Sequence, residues 1–267
     1  MTPYKILEAT APVVPIIVSV PHCGTDFPDE ICNQYNPSLI EAPDDTDWFV
    51  HQLYDFVPSM GITMIHAVNS RWVIDLNRDP KSKPLYNDGR IITALCPATT
   101  FLGEPLYRDG RTEVDATEVE RRLNAYYYPY HKKTSELLAE RKSAFGRVLL
   151  WDCHSIREYV KTIQTEKFPD LILGDADGTA AGSQYITATL NTLGASSYEV
   201  NHNHPFKGGY ITRSFGKPTE NVHALQLEMT KVNYMDDAEK KFDMGRADKM
   251  RKLLKDVFKK LIQELRR

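Results

Sequence analysis

The sequence has no Cys-x-x-Cys pair. Its four cysteines, Cys23, Cys32, Cys96 and Cys153, are scattered, which excludes a structural zinc knuckle and a dithiol redox motif and leaves reduced thiols as the simplest state. Neither charge sign is in excess: 33 Lys and Arg against 36 Asp and Glu leave a formal net charge of -3, no footing for nucleic acid or an anionic membrane. No apolar run is long enough for a bilayer. The opening MTPYKILEATAPVVPIIVSV has no basic n-region and is interrupted by prolines, so neither a signal peptide nor a membrane span is expected and a cytoplasmic protein is. Internal repeats, low-complexity tracts and long linkers are also missing, so residues 1–267 are expected to form a single domain. What is present is an ordinary globular composition, 42% hydrophobic and 26% charged, whose default partner is a small molecule or peptide. Oligomeric state leaves no mark on the sequence.

Short β-branched runs alternate with longer helical patterns. Ile16–Val20, Thr63–His66, Trp72–Leu76, Val148–Trp151, Leu171–Leu173 and Ala224–Leu227 read as buried strands bounded by polar residues, Gly or Pro. A helix is predicted over Asp47–Phe56 after the acidic run, and a long one over Ala116–Phe145 that Pro129 should kink or divide. Near the C-terminus, Leu253, Leu254, Val257, Phe258, Leu261, Ile262 and Leu265 define one apolar helical face, with Lys and Arg on the solvated one. Strands alternating with helices predict an α/β fold: a three-layer α/β/α sandwich around a mixed, largely parallel sheet. Residues 79–113 read as loop-rich and either shape a site or merely connect elements.

In such sheets ligands bind beyond the carboxyl ends of the strands. IIVSVPHCG and LLWDCHS each end an apolar run with a histidine, His22 and His154, so the two can converge although distant in sequence. Strand alternation puts Asp152 on the face of His154 and turns Trp151 and Cys153 away. Asp152 can then support the His154 ring or help hold a metal. APDDTDW supplies Asp44, Asp45 and Asp47 either as helix caps or as a metal ligand. The spacing of His202 and His204 also suits a metal, although their Asn and Pro neighbours suggest a turn. Arg71, Asn77 and Arg78 in NSRWVIDLNRDP and Arg213 in GGYITRSFG are either carboxylate grips or structural ion-pair partners. Glu228 closes the apolar run ALQLE, where a carboxylate either bears a desolvation penalty without use or is held as a base of raised pKa, the latter making sense beside a metal-bound water.

Taken together and in order, VPHCG, DDTDW, SRWVIDLNRDP, DCHS, NHPFKGGYITRSFGKP and LQLEMT resemble the N-formylglutamate amidohydrolase (N-formylglutamate deformylase) family from about residue 15 to about residue 235. That family is similar in fold to the zinc carboxypeptidases, which hold zinc with an HxxE pair and a later His. The resemblance implies one divalent metal, zinc by preference, with His22 as the first ligand and His154 as the last. Thr25 stands where HxxE has Glu, so a carboxylate of the DDTD run must replace it, Asp47 first and Asp45 second. It implies further that Glu228 is the general base, that Arg71 stabilises the oxyanion, that Asn77 and Arg78 bind the α-carboxylate, and that Arg213 holds a second carboxylate. The implied activity is hydrolysis of N-formyl-L-glutamate to formate and L-glutamate, the last step of histidine degradation. Other N-acyl amino acid hydrolysis, carboxypeptidase action and non-catalytic metal or amino-acid binding stand as alternatives.

Overall fold

The structure, a computed structural model, describes residues 2–81 and 94–267. Its elements run β1 (Tyr4–Leu7), β2 (Ile16–Val20), the short α1 (Asp29–Cys32), α2 (Pro37–Ile40) and α3 (Val50–Leu53), β3 (Thr63–Ala67), α4 (Ala116–Arg122), α5 (Tyr128–Phe145), β4 (Val148–Ile156), β5 (Leu171–Gly174), α6 (Ser183–Gly194), β6 (Val200–His202), α7 (Tyr210–Phe215), β7 (Val222–Thr230) and α8 (Met244–Leu265). Among the described residues seven strands form one sheet, in the order β1-β3-β2-β4-β7-β5-β6. The pairs β2–β3, β2–β4, β4–β7 and β5–β6 are parallel, whereas β1–β3 and β5–β7 are antiparallel. The predicted mixed, largely parallel sheet is therefore observed.

Side-chain alternation sends the two halves of each central strand into different layers. Leu149, Trp151 and Cys153 of β4 pack with Leu254, Val257, Phe258 and Leu261 of α8 and Tyr185 of α6. Leu150 packs on the other face with Tyr130, Leu137 and Leu138 of α5. That is the three-layer sandwich. The Trp151 and Phe258 rings meet edge to face at 5.4 Å with no exposed surface on either side chain, so truncating Phe258 to Ala would cost about 3–5 kcal/mol.

Three sequence expectations differ from the structure. Trp72–Leu76 is buried but is not a strand; it is a turn-rich loop, because β-branched and aromatic content reports fit to a buried environment more than backbone conformation. The helix expected over Asp47–Phe56 shrinks to α3, whose N-cap is Phe49 at φ 61°, followed by a 3-10 turn at Val57–Met60. Asp47 is drawn away from capping toward two histidines. Pro129 neither kinks nor divides its helix: α4 and α5 are joined by a π turn over Leu123–Tyr127, and Pro129 falls in the first turn of α5, where its missing N–H is tolerated. The edge strands β1 and β6 and the helices α6 and α7 carried too short or too Thr-rich a pattern to be read.

Candidate metal and substrate site

The site is assembled by register. β4 and β7 run parallel with Asp152 opposite Gln226 and His154 opposite Glu228, so four polar side chains point to the layer of α5 from neighbouring positions. β2 lies on the other side of β4, and His22 follows its end; the His22 and His154 rings are 4.8 Å apart. The chain after β2 bends back, with the Asp47 amide donating to His22 O at 2.9 Å, and this places the Asp47 carboxylate between the rings.

His22, Asp47 and His154 are all buried, and each offers a ligand atom within 4.8 Å of the others'. A carboxylate stands behind each ring. His22 Nε2 lies 2.7 Å from Asp75 Oδ1, and His154 Nε2 lies 3.1 Å from Asp152 Oδ2. With ionised carboxylates both Nε2 atoms are donors, which leaves the Nδ1 atoms facing Asp47. His154 Nδ1 is 3.2 Å and His22 Nδ1 3.7 Å from Asp47 Oδ2. Among the described residues, His22 Nδ1 and Asp47 Oδ1 are buried without a hydrogen-bond partner, a costly arrangement for protein atoms alone and a natural one for ligand atoms. Imidazoles backed by carboxylates are the usual outer arrangement of a metal centre.

The charges are strongly coupled. Burial, together with Arg71, lowers the His22 pKa and keeps the ring neutral. For His154 burial acts in the same sense but is outweighed by Asp152 and Asp47, which hold its pKa well above the usual value. Asp75 is held well below the ordinary carboxylate range: burial would raise it, and Arg71 and His22 overcome that. Glu228 goes the other way. Burial pushes its pKa up to about 8, with Asp47 adding to the rise against His154 and Arg71.

A cavity of about 430 Å³ opens over this cluster, lined by His22, Asp47, Arg71, Asn77, Arg78, His154, Gln226 and Glu228 and walled by Phe101, Ile156, Ile163 and Phe206. Arg71 Nη2 donates to Asp75 Oδ2 at 2.6 Å, and the guanidinium lies over the Phe101 ring at 4.8 Å. The Asn77 amide is largely engaged. Its Oδ1 accepts from Ile211 N at 2.8 Å and its Nδ2 donates to Gln226 Oε1 at 3.4 Å, whereas the 3.0 Å approach of Nδ2 to His154 Nε2 sets donor against donor while that nitrogen donates to Asp152. Gly209 N donates to the same Gln226 oxygen at 2.8 Å. Here glycine is required: a Cβ on Gly209 would come within 2.2 Å of Asn77 Nδ2.

Three residues named from the sequence sit elsewhere. Asp45 faces away from the histidines, its Oδ2 accepting from Trp72 Nε1 at 2.8 Å and from the Phe101 amide at 3.0 Å. Arg213, in α7, is not among the cavity-lining residues, and its Nε donates to Gly208 O at 2.9 Å. His202 pairs with Asp175 at 2.7 Å, away from the triad. The residue missed from sequence is Asp75, which also accepts from the Asn77 amide at 2.9 Å; its signal was a carboxylate inside an apolar run, as for Glu228. Gln226, two residues before Glu228, was legible by the same alternation that placed Asp152 beside His154.

A sequence model of the N-formylglutamate amidohydrolase family matches residues 14–235, most of the chain. The chain belongs to this family. It is 41% identical to the N-formylglutamate deformylase of Pseudomonas aeruginosa over 229 residues, 84% of this chain and 83% of that protein. It is 37% identical to the N-formylglutamate deformylase of Pseudomonas putida over 237 residues, 88% and 87% of the two chains. The crystal structure of N-formylglutamate amidohydrolase from Ralstonia eutropha superposes with a TM-score of 0.78 at 26% identity, covering 99% of this chain and 97% of that one. The resemblance stated from the motifs is thus a family relationship, and the chain is an amidohydrolase of that family. Among the described residues no helix is long and apolar enough to cross a membrane.

Proposed function

We propose that this chain is a metal-dependent N-formylglutamate deformylase, a single-domain cytoplasmic enzyme that cleaves the formyl C–N bond of N-formyl-L-glutamate to give formate and L-glutamate. That reaction ends histidine degradation. The observation that carries the reading is the convergence of His22 Nδ1, Asp47 and His154 Nδ1 on one buried point, with Glu228 in register beside His154. Two imidazoles and one carboxylate suit zinc. Held by His22, Asp47 and His154, such an ion would supply Lewis acidity and lower the pKa of water toward neutrality.

The chain's own groups do the rest. Glu228, with its pKa raised to about 8, takes the proton of the attacking water and returns it to the amide nitrogen as the C–N bond breaks. Arg71, fixed by Asp75 below it and Phe101 beside it, faces the charge that develops on the formyl oxygen, a contribution of about 3–4 kcal/mol for one well-placed donor. Arg78 grips the α-carboxylate, and Asn77 supports it; the 3.4 Å bond from Asn77 Nδ2 to Gln226 is long enough to be exchanged for a substrate oxygen. Arg213, one turn beyond the cavity-lining Gly209, is proposed for the second carboxylate, which requires its side chain to turn from Gly208 O toward the cavity.

A second reading is favoured by the wall of Phe101, Ile156, Ile163 and Phe206, which suits a longer acyl group on the same amino acid. The test is kcat/KM for N-formyl-L-glutamate, N-acetyl-L-glutamate, N-hexanoyl-L-glutamate and N-formyl-L-leucine. Preference for the formylated dicarboxylate supports the deformylase; preference for the hexanoyl substrate transfers the site to the second reading.

A further inference from the structure

The residues that face the cavity from one segment, Arg71, Asn77 and Arg78, together with Asp75, lie within or directly beside the Trp72–Leu76 loop. A strand would send Asn77 and Arg78 to opposite faces. In the loop these consecutive residues both line the cavity. Leaving the sheet has a cost, since buried carbonyls lose their ladder partners and must find others.

The partners come chiefly from one helical face. Arg122 Nη1 donates to Val73 O at 3.0 Å, His131 Nε2 to Leu76 O at 2.8 Å and Tyr127 Oη to Arg78 O at 2.7 Å, while Tyr35 Oη donates to Trp72 O at 3.0 Å. Arg122, Tyr127 and His131 are spaced five and then four residues apart. They share a face because the π turn inserts its extra residue between the first two, seen in the bond from Tyr128 N to Leu123 O. The His131 ring stacks on Tyr127 at 4.1 Å and 19° and lies nearly parallel to Phe215 at 5.8 Å and 11°. Its pKa is lowered to about 4 by burial, so near neutral pH it carries one ring proton, held on Nε2 because a carbonyl only accepts.

We propose that Tyr127 and His131 are positioning residues: by holding the peptide carbonyls on either side of Asn77, they set the placement of the Asn77–Arg78 pair in the substrate cavity. Neither touches the substrate. The kinetic consequence rests on the deformylase reading; the effect on the loop does not.

The test compares full-length wild-type protein with His131→Leu, His131→Gln, Tyr127→Phe and, as a control on the same helix, Leu137→Ala, whose apolar side chain is buried in the same core layer but can hold no loop carbonyl by a hydrogen bond. Amide hydrogen exchange is followed across residues 71–78, with KM, kcat, metal content and Tm measured on the same samples. His131→Leu is expected to speed loop exchange roughly tenfold, the scale of one lost buried hydrogen bond. It should raise KM for N-formyl-L-glutamate about as much, with kcat within about threefold and metal content unchanged. Tyr127→Phe should act in the same direction. His131→Gln keeps an N–H that can reach Leu76 O and should recover most of both effects while remaining less stable. Leu137→Ala should lower Tm without moving loop exchange or KM. If His131→Leu does not fold, Tyr127→Phe against Leu137→Ala decides the matter. The proposal is overturned if loop exchange in His131→Leu and Tyr127→Phe matches that of Leu137→Ala. A wild-type protein that releases no formate would instead overturn the deformylase reading, and loop exchange would still decide the positioning role.

Discussion

Replacing Asp75 with Asn removes one charge and almost no volume, so its consequences come from electrostatics and hydrogen bonding. Asp75 is fully buried, and its two oxygens divide their work: Oδ1 accepts from His22 Nε2 and the Asn77 amide, and Oδ2 from Arg71. An amide in either orientation sets an NH2 against donors. It also leaves Arg71 buried with its nearest counter-charge gone, a loss of about 3–5 kcal/mol by analogy with broken buried pairs. For a chain of this size each kcal/mol corresponds to about 2–4 °C, so Tm should fall by about 6–20 °C. His22 also loses the carboxylate that holds its ring, which should weaken metal binding about 10–100-fold. The assays are thermal unfolding with and without chelator and a competitive metal titration. The pH dependence supplies a sign check. Asp75 has a folded pKa well below its unfolded value, because Arg71 and His22 outweigh burial. Its stabilisation is therefore complete above the unfolded value of about 3.9 and lost as pH falls through the lower folded value. The gap between wild type and variant should accordingly narrow in acid. A variant within about 1 °C of wild type at neutral pH and within about twofold in metal affinity would refute the reasoning.

Glu228→Gln should lower kcat about 10²–10⁴-fold with one metal still bound, and it should remove the rise of kcat/KM with pH that the ionising base gives wild type at or below about pH 8; an unchanged profile would take the base role from Glu228. Asp47→Asn should lose the metal while Asp45→Asn keeps it, because only Asp47 lies between the histidines and Asp45 is bound to Trp72 and Phe101; metal analysis of the two purified variants would show the reverse if Asp45 were the ligand. Arg213→Ala should raise KM for N-formyl-L-glutamate much more than for N-formyl-L-leucine, and an equal effect on both would remove Arg213 from substrate recognition.

What could be read from the sequence depended on whether a residue's role followed from strand alternation. His154 and Asp152 share a face of β4, Glu228 sits in register beside them, and His22 follows the neighbouring β2; period-two reasoning reaches all of these without a structure. It fails where the backbone departs from regularity. Trp72–Leu76 is as apolar as a strand, but its carbonyls are bound by Arg122, His131 and Tyr35 from distant positions, and no local pattern announces a partner so far away. Asp75 is not legible in the sequence because, in a strand, it would be one more misplaced carboxylate; the loop makes it the hub between His22 and Arg71. The DDTD run shows the limit of local preference: capping chemistry favours Asp there, yet Asp47 turns to His154 and Asp45 to Trp72 because long-range partners bind them more strongly than the first turn of α3 does. The π turn ahead of Pro129 is invisible to a pattern that assumes a constant helical period.

The central claim is that His22, Asp47 and His154 hold the metal on which formate release depends. It is tested most directly by measuring metal content and formate release from N-formyl-L-glutamate on wild-type protein before chelation, after chelation and after zinc is returned. The account predicts one zinc per chain, release that disappears with the metal and returns with it, and neither metal nor release in His154→Ala. Full activity in chelated protein, or one tightly bound zinc in His154→Ala, would contradict it.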